Sequence, residues 1–199
     1  FLYLATVWFE KDKSQTRYNF LCLSLGGDNL DLDEMKDIAN IPLSFYGVDE
    51  DSYAYKLGIF IVFLQNHVRF ITANPGKVSR DVYKHYNDNM SAIKGKTLYF
   101  LEDELAKDIS SEARINSVYK GDVKIVEKED IKNLIMSGDT NAVFLHKVGP
   151  EGKKMNARVY KILIGAGDSK FYYFDYHSVS SKAPDAFLEK DFKKLMRAQ

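Results

Sequence analysis

The chain has 199 residues with 28 basic and 28 acidic side chains, so its formal net charge is zero. That length holds one domain or two small ones and needs no staple, and the charge balance removes the simplest case for nucleic acid, which takes a basic surface. A hydrophobic content of 45% excludes wholesale disorder, while 13 Tyr and 13 Phe against one Trp supply packing material rather than an activity.

Residues 2–10 read as a strand, rich in aromatic and branched side chains. The polar run Glu10–Gln15 reads as a turn, residues 16–25 as a second strand, and Gly26-Gly27-Asp28-Asn29 as another turn. Strands joined by so short a loop pair antiparallel. Cys22 lies in the apolar run Asn19–Leu25 and is the chain's one cysteine, so no intramolecular disulfide forms. It reads as a small buried hydrophobe, since no cation or helix N-terminus stands beside it in sequence. The start at Phe1, inside an apolar run with neither Met nor a basic leader, leads us to expect a missing segment upstream.

Asp28-Asn-Leu-Asp-Leu-Asp-Glu34 is the densest acidic cluster. A hard cation wants several converging carboxylates, but the glycine and glutamate of an EF-hand loop are missing at their positions. A solvated turn running into a helix N-terminus is the plainer reading. Tyr53, Leu57, Phe60, Ile61, Leu64, Val68 and Ile71 then recur at helical spacing, with Asp49 or Asp51 as cap and Asn74-Pro75-Gly76 as terminator. The apolar stretch Leu57–Leu64 falls far short of the ~20 residues that cross a bilayer, so no transmembrane segment is expected. A second helix is predicted from Ser79, with Val82, Tyr83, Tyr86 and Met90 on one face.

Beyond Gly95 the pattern becomes regular. Strand 97–101, helix 110–119, strand 123–126 and helix 128–136 are followed by strands at 142–148, 157–164 and 171–176. A last helix runs from about Pro184 or Asp185 to Met196, its basic end suited to the helix dipole. The predicted fold is α/β (α+β) with two related units. The second has the order βαβαβββα and a mixed sheet, parallel where helices cross over and antiparallel in the meander. The first is a β-meander plus a long helix. Residues 1–75 form the N-terminal unit, 76–94 a helical linker and 95–199 the C-terminal α/β unit.

Moving residues 2–28 forward so that Leu4 falls on Leu145 also places Val7 on Val148, Glu10 on Glu151, Lys13 on Lys154, Arg17 on Arg158 and Gly26 on Gly167. The strand, charged turn, strand, glycine turn layout repeats as well, and we expect an internal repeat. Gly95-Lys-Thr-Leu-Tyr99, Val143–Lys154, Phe171-Tyr-Tyr-Phe-Asp-Tyr-His177 and Asp191-Phe-Lys-Lys-Leu195 resemble runs in a set of uncharacterised exported bacterial proteins. The likeness covers the second half well and the helix at 53–71 less well. It implies export past the inner membrane, to the periplasm or beyond, and carries no catalytic residue over.

Motifs with chemistry are few. Gly149-Pro-Glu-Gly-Lys-Lys154 has two residues between its glycines and no following hydroxyl, so it is a hairpin turn rather than a phosphate loop. Gly165-Ala-Gly-Asp lacks the third glycine and the helix of a dinucleotide fingerprint. Ser178, Ser180 and Ser181 stand near Lys182, but Val179 holds the position a Ser-x-x-Lys motif needs. Glu102-Asp103-Glu104 reads as a charged strand exit or capping material. His67, His85, His146 and His177 form no metal-binding pair, and neither a metal nor a cofactor is expected.

Two sets of residues stay in view. His146, Asp175 and His177 lie on strands of the meander, with Asp175 and His177 two apart on one face, where a carboxylate orients an imidazole as a general base requires. Ordinary hydrogen bonds at a polar strand end account for them too. Tyr172, Phe174 and Tyr176 share one strand face and would display aromatic rings to a ligand or partner, unless that face is covered. The expected function is a non-catalytic exported module that binds a small ligand or a protein partner. The alternative is a hydrolase using Asp175 and His177 with His146 nearby.

Overall fold

The computed structural model describes residues 2–8, 16–24, 37–47, 50–75, 84–150 and 155–199. The chain divides into two compact units, Phe1–Val78 and Ser79–Gln199.

In the first unit, β1 (Leu2–Trp8), β2 (Arg17–Ser24) and β3 (Asp37–Phe45) form an antiparallel sheet in that order, followed by helix α1 (Leu57–Ala73). Tyr18, Phe20 and Cys22 are buried along β2, so Cys22 is the buried small hydrophobe its surroundings predict. The cluster at 28–34 lies outside the described residues, and the element after it is a strand, where a helix was expected. Pro42 lies within this strand. It sits beside a register shift opposite Asn19 and Phe20, on a strand whose one sheet neighbour among the described residues is β2, and there a missing N–H is tolerated.

α1 begins later than predicted, after two short turns at Glu50–Ser52 and Ala54–Lys56, and it packs against β3. Its buried face is Ile59, Phe60, Phe63, Leu64 and His67, while Ile61 is exposed. The predicted stripe is thus rotated. In the unbroken apolar run 57–64 the period cannot say which residues face inward. The helix ends at Asn74, whose side-chain amide donates to the Phe70 carbonyl at 2.8 Å.

The second unit follows the predicted order βαβαβββα. It comprises β4 (Thr97–Phe100), α2 (Glu112–Val118), β5 (Asp122–Ile125), α3 (Lys128–Ser137), β6 (Ala142–Val148), β7 (Arg158–Gly165), β8 (Phe171–Ser178) and α4 (Glu189–Ala198). The sheet order is β5-β4-β6-β7-β8, parallel through β5-β4-β6 and antiparallel through β6-β7-β8. Gly138 closes α3 in the left-handed conformation, φ 67°, which glycine adopts without a Cβ penalty. One face of the sheet gives Leu98, Phe100, Leu145, Leu163 and Tyr173 to a core completed by Ile115, Phe187, Phe192 and Leu195. Phe187 and Phe192 meet edge to face with centroids 4.9 Å apart, a geometry suited to ring quadrupoles.

Residues 84–94, which the sequence places in a helical connection, pack within this unit. One helical turn at 84–87 leads to a short 3-10 helix, Met90–Ile93, and Ile93 is fully buried in the core. The Asn87 side chain accepts from the Phe174 N–H at 2.8 Å and donates to the Phe174 carbonyl at 3.1 Å. Asn89 donates to the Phe171 carbonyl at 3.3 Å. These amides satisfy part of the open edge of β8.

Both units hold a three-strand meander followed by a helix. The first-unit pair Leu4–Leu21 finds its counterpart in Leu145–Leu163, one residue away from the Leu145–Ile162 pairing that the sequence correspondence gives. Among the described residues no helix is long and apolar enough to cross a membrane.

Candidate functional site

Three register rows cross β6, β7 and β8: Leu145–Leu163–Tyr173, His146–Ile162–Phe174 and Lys147–Lys161–Asp175. Neighbouring rows face opposite sides of the sheet. The first and third rows look toward the core under α4, and there lies a buried polar cluster.

Lys161 and Asp191 are both fully buried, and the ammonium meets the two carboxylate oxygens at 2.8 and 2.7 Å. The Tyr173 hydroxyl donates to Asp191 at 2.8 Å, and the Leu188 N–H donates to it at 2.9 Å, capping α4. Burial pushes the Lys161 ammonium down from its ordinary value, with Asp191 and then Asp175 pulling the other way. Burial, beside Asp191 and Asp175, drives the Tyr173 hydroxyl far up, so it is a fixed donor.

Asp175 is engaged at the margin of this cluster. Its carboxylate accepts from Lys194, from the Tyr173 hydroxyl at 3.1 Å and from the Tyr176 N–H at 2.8 Å. Burial works to raise its pKa, but the Lys194 hydrogen bond and the Lys161 and Lys194 charges outweigh it and hold the carboxyl below the usual range. His177 places Nε2 2.8 Å from the Pro184 carbonyl. A carbonyl only accepts, so Nε2 carries the proton and Nδ1 is bare; Nδ1 is buried without a hydrogen-bond partner. Burial lowers the imidazole pKa, the Pro184 carbonyl opposes this, and the Lys161 and Lys190 charges reinforce it. No hydrogen bond joins Asp175 to His177. His146 is buried in the row facing the other side of the sheet. The three residues do not converge on one point.

The aromatic set also divides. Tyr172 is 1% exposed and donates to Asp168, and burial raises its pKa, with Asp168 adding to the rise. Phe174 is buried. Tyr176 is 55% exposed, with the Arg158 guanidinium 5.7 Å from its ring centroid and the Tyr160 ring 6.0 Å away. Tyr176 alone of the three is displayed.

The other motifs settle into local structure. The Ser180 hydroxyl accepts from the Ala183 N–H at 3.0 Å in a turn, and Glu104 caps the Leu101 N–H at 3.0 Å. Among the described residues no three His, Cys, Asp or Glu side chains gather as a cation site.

A groove absent from the sequence reading lies where two loops meet. Leu105 and Phe187 form a parallel bridge: the Ala106 N–H donates to the Phe187 carbonyl at 3.0 Å, and the Phe187 N–H to the Glu104 carbonyl at 2.7 Å. Beside it opens a groove of about 740 Å³ with a floor of Leu105, Ala106, Ala186 and Leu188, all buried. Ala183 and Pro184 form one wall and Lys107 and Asp108 the other, with Lys182 and Lys190 also lining it. The two loops stand about eighty residues apart in sequence, and no local motif marks either one. The His177–Pro184 bond holds the 183–186 wall to β8.

No family model, curated protein or solved structure matches the chain.

Proposed function

We propose that the protein is a non-catalytic binding module and that the groove between residues 105–108 and 182–190 receives a small ligand. The observation that carries this reading is the groove itself: a concave, mostly apolar volume of about 740 Å³ with charged groups on its rim. Ligand sites typically take this form, at roughly 300–1,000 Å³. The hydrolase alternative loses support because the Asp175 carboxylate is held by Lys194 and the Tyr176 N–H, no hydrogen bond joins it to His177, whose bare Nδ1 is buried, and His146 faces away from both.

The test is saturation-transfer NMR of the protein against a fragment library, repeated on Ala183→Trp, which plugs the groove from a partly exposed loop position. Fragments that bind the native protein and lose their signal with the plug support the reading. Binding that ignores the plug, or turnover of ester or phosphate substrates that disappears in His177→Gln, overturns it.

Two further elements belong to this proposal. The two meander-plus-helix segments are read as copies of one ancestral unit, supported by their common layout and by the Leu4/Leu145 to Gly26/Gly167 correspondence. Export rests on the likeness to exported bacterial proteins, and fractionation of cells expressing the full gene tests it.

A further inference from the structure

The charges around the groove do not balance locally. Asp185 is paired with Lys147 at 3.1 Å, and Glu189 with Lys193 one helical turn along α4. Both partners lie outside the groove lining, so these two acids are already neutralised. Of the remaining charged lining groups, Lys107, Lys182 and Lys190 carry no ion pair among the described residues, and the one acid facing them is Asp108. Three ammoniums against a single carboxylate give the rim an uncompensated positive charge. Meanwhile the floor of Leu105, Ala106, Ala186 and Leu188 is apolar and buried. A ligand that satisfies both halves has an apolar body and a negatively charged head. A neutral apolar ligand leaves the ammoniums without a counter-charge, and an inorganic anion leaves the apolar lining at Ala183 and Pro184 in water.

Resting on the ligand-groove reading above, we propose that the groove selects small amphipathic anions, molecules with an apolar body and one carboxylate or sulfonate head. The apolar lining, Pro184 and the lysine stems above the floor, supplies most of the binding free energy through the area a ligand covers. The lysines supply selectivity, each acting through a partly screened interaction.

Two fluorescent probes test this directly. Anilinonaphthalene sulfonate and phenylnaphthylamine share one aromatic body and differ by the sulfonate. The expected result is one-to-one binding of the sulfonate at least about tenfold tighter than its neutral twin, a ratio that three modest charge contacts supply together. The preference should shrink as salt is raised from low to physiological concentration. Lys182→Glu with Lys190→Glu, at exposed positions, should abolish the preference and leave neutral-probe binding in place. Ala183→Trp should abolish binding of both probes. Lys132→Glu, on α3 and outside the groove, should change neither. Thermal melts of each variant confirm that the fold is intact.

Equal binding of the two probes, lost on plugging, overturns the anion selectivity and leaves the ligand groove standing. Binding of neither probe, or binding that survives the plug, overturns the groove as a site altogether.

Discussion

Asp191 answers three donors at once: the Lys161 ammonium, the Tyr173 hydroxyl and the Leu188 N–H. Removing one partner of a buried pair costs more than the pair contributes, because an uncompensated charge remains in the core. Asp191→Ala is therefore expected to destabilise the second unit by about 3–5 kcal/mol, read from urea unfolding. Replacing both members, Lys161→Met with Asp191→Leu, should recover most of that loss, since neither charge is then stranded. A double variant as unstable as the single one would mean that packing and the α4 cap, rather than the stranded charge, set the cost. His177 makes a separate prediction. Its pKa is lowered in the folded chain by burial, with Lys161 and Lys190 adding to the effect against the Pro184 carbonyl and Asp191. The unfolded chain therefore takes up the proton first. The associated stability is fully present above the ordinary imidazole value of about 6.5 and is lost as pH falls from there through the lowered folded value. Urea midpoints measured from pH 7.5 down to 5 should decline, and His177→Gln, which keeps a donor for Pro184, should flatten that decline. An unchanged slope in the variant would assign the decline to other groups.

Elements were legible where sequence period and tertiary burial agreed. Strands at 97–101 and 142–148 and the helix at 128–136 are short and bounded by turn residues, and each buries apolar residues of its pattern, Ile131 alone in the helix. The structure places β4, β6 and α3 within a residue or two of them. β3 was missed because Pro42 and the polar residues Asn40 and Ser44 break the strand pattern, and only pairing with β2 rescues it. The face of α1 was misplaced because eight consecutive apolar residues satisfy several stripes equally. Alternation alone puts Tyr172, Phe174 and Tyr176 on one face, but a register shift between Leu163 and Ile164 falls at Tyr172, which joins Tyr173 in the core, and whether Phe174 is covered depends on distant residues. Asn87 shows this most clearly: a lone amide 87 residues upstream closes the backbone of Phe174. Strand edges left open invite pairing with another chain. Asn87→Ala should cost about 1–2 kcal/mol and raise the exchange rate of the Phe174 amide above that of Leu163 on the neighbouring strand. If exchange at Phe174 is unaffected, the side-chain bonds do not guard that edge.

At the scale of the whole molecule, the groove was invisible because it is made by topology. Residues 105–108 leave the first strand of the second unit, and residues 182–190 leave its last strand. They become neighbours only once the sheet order β5-β4-β6-β7-β8 and the Leu105–Phe187 bridge are in place. Everything that builds the groove lies within Ser79–Gln199: its floor, its lysines, the His177–Pro184 bond and the aromatic core beneath α4. That core draws on the strands, α2, α4 and Ile93, all from the same unit. A chain of roughly 120 residues is long enough to bury most of its own apolar surface. We therefore expect residues 79–199, expressed alone, to unfold in one cooperative transition and to show dispersed amide and methyl NMR signals. The isolated unit should also keep the native selectivity for anilinonaphthalene sulfonate over phenylnaphthylamine. Poor dispersion would mean that the core within 79–199 does not sustain the fold. A well-folded fragment without selectivity would place the source of anion preference outside the groove and would count against the lysine argument directly.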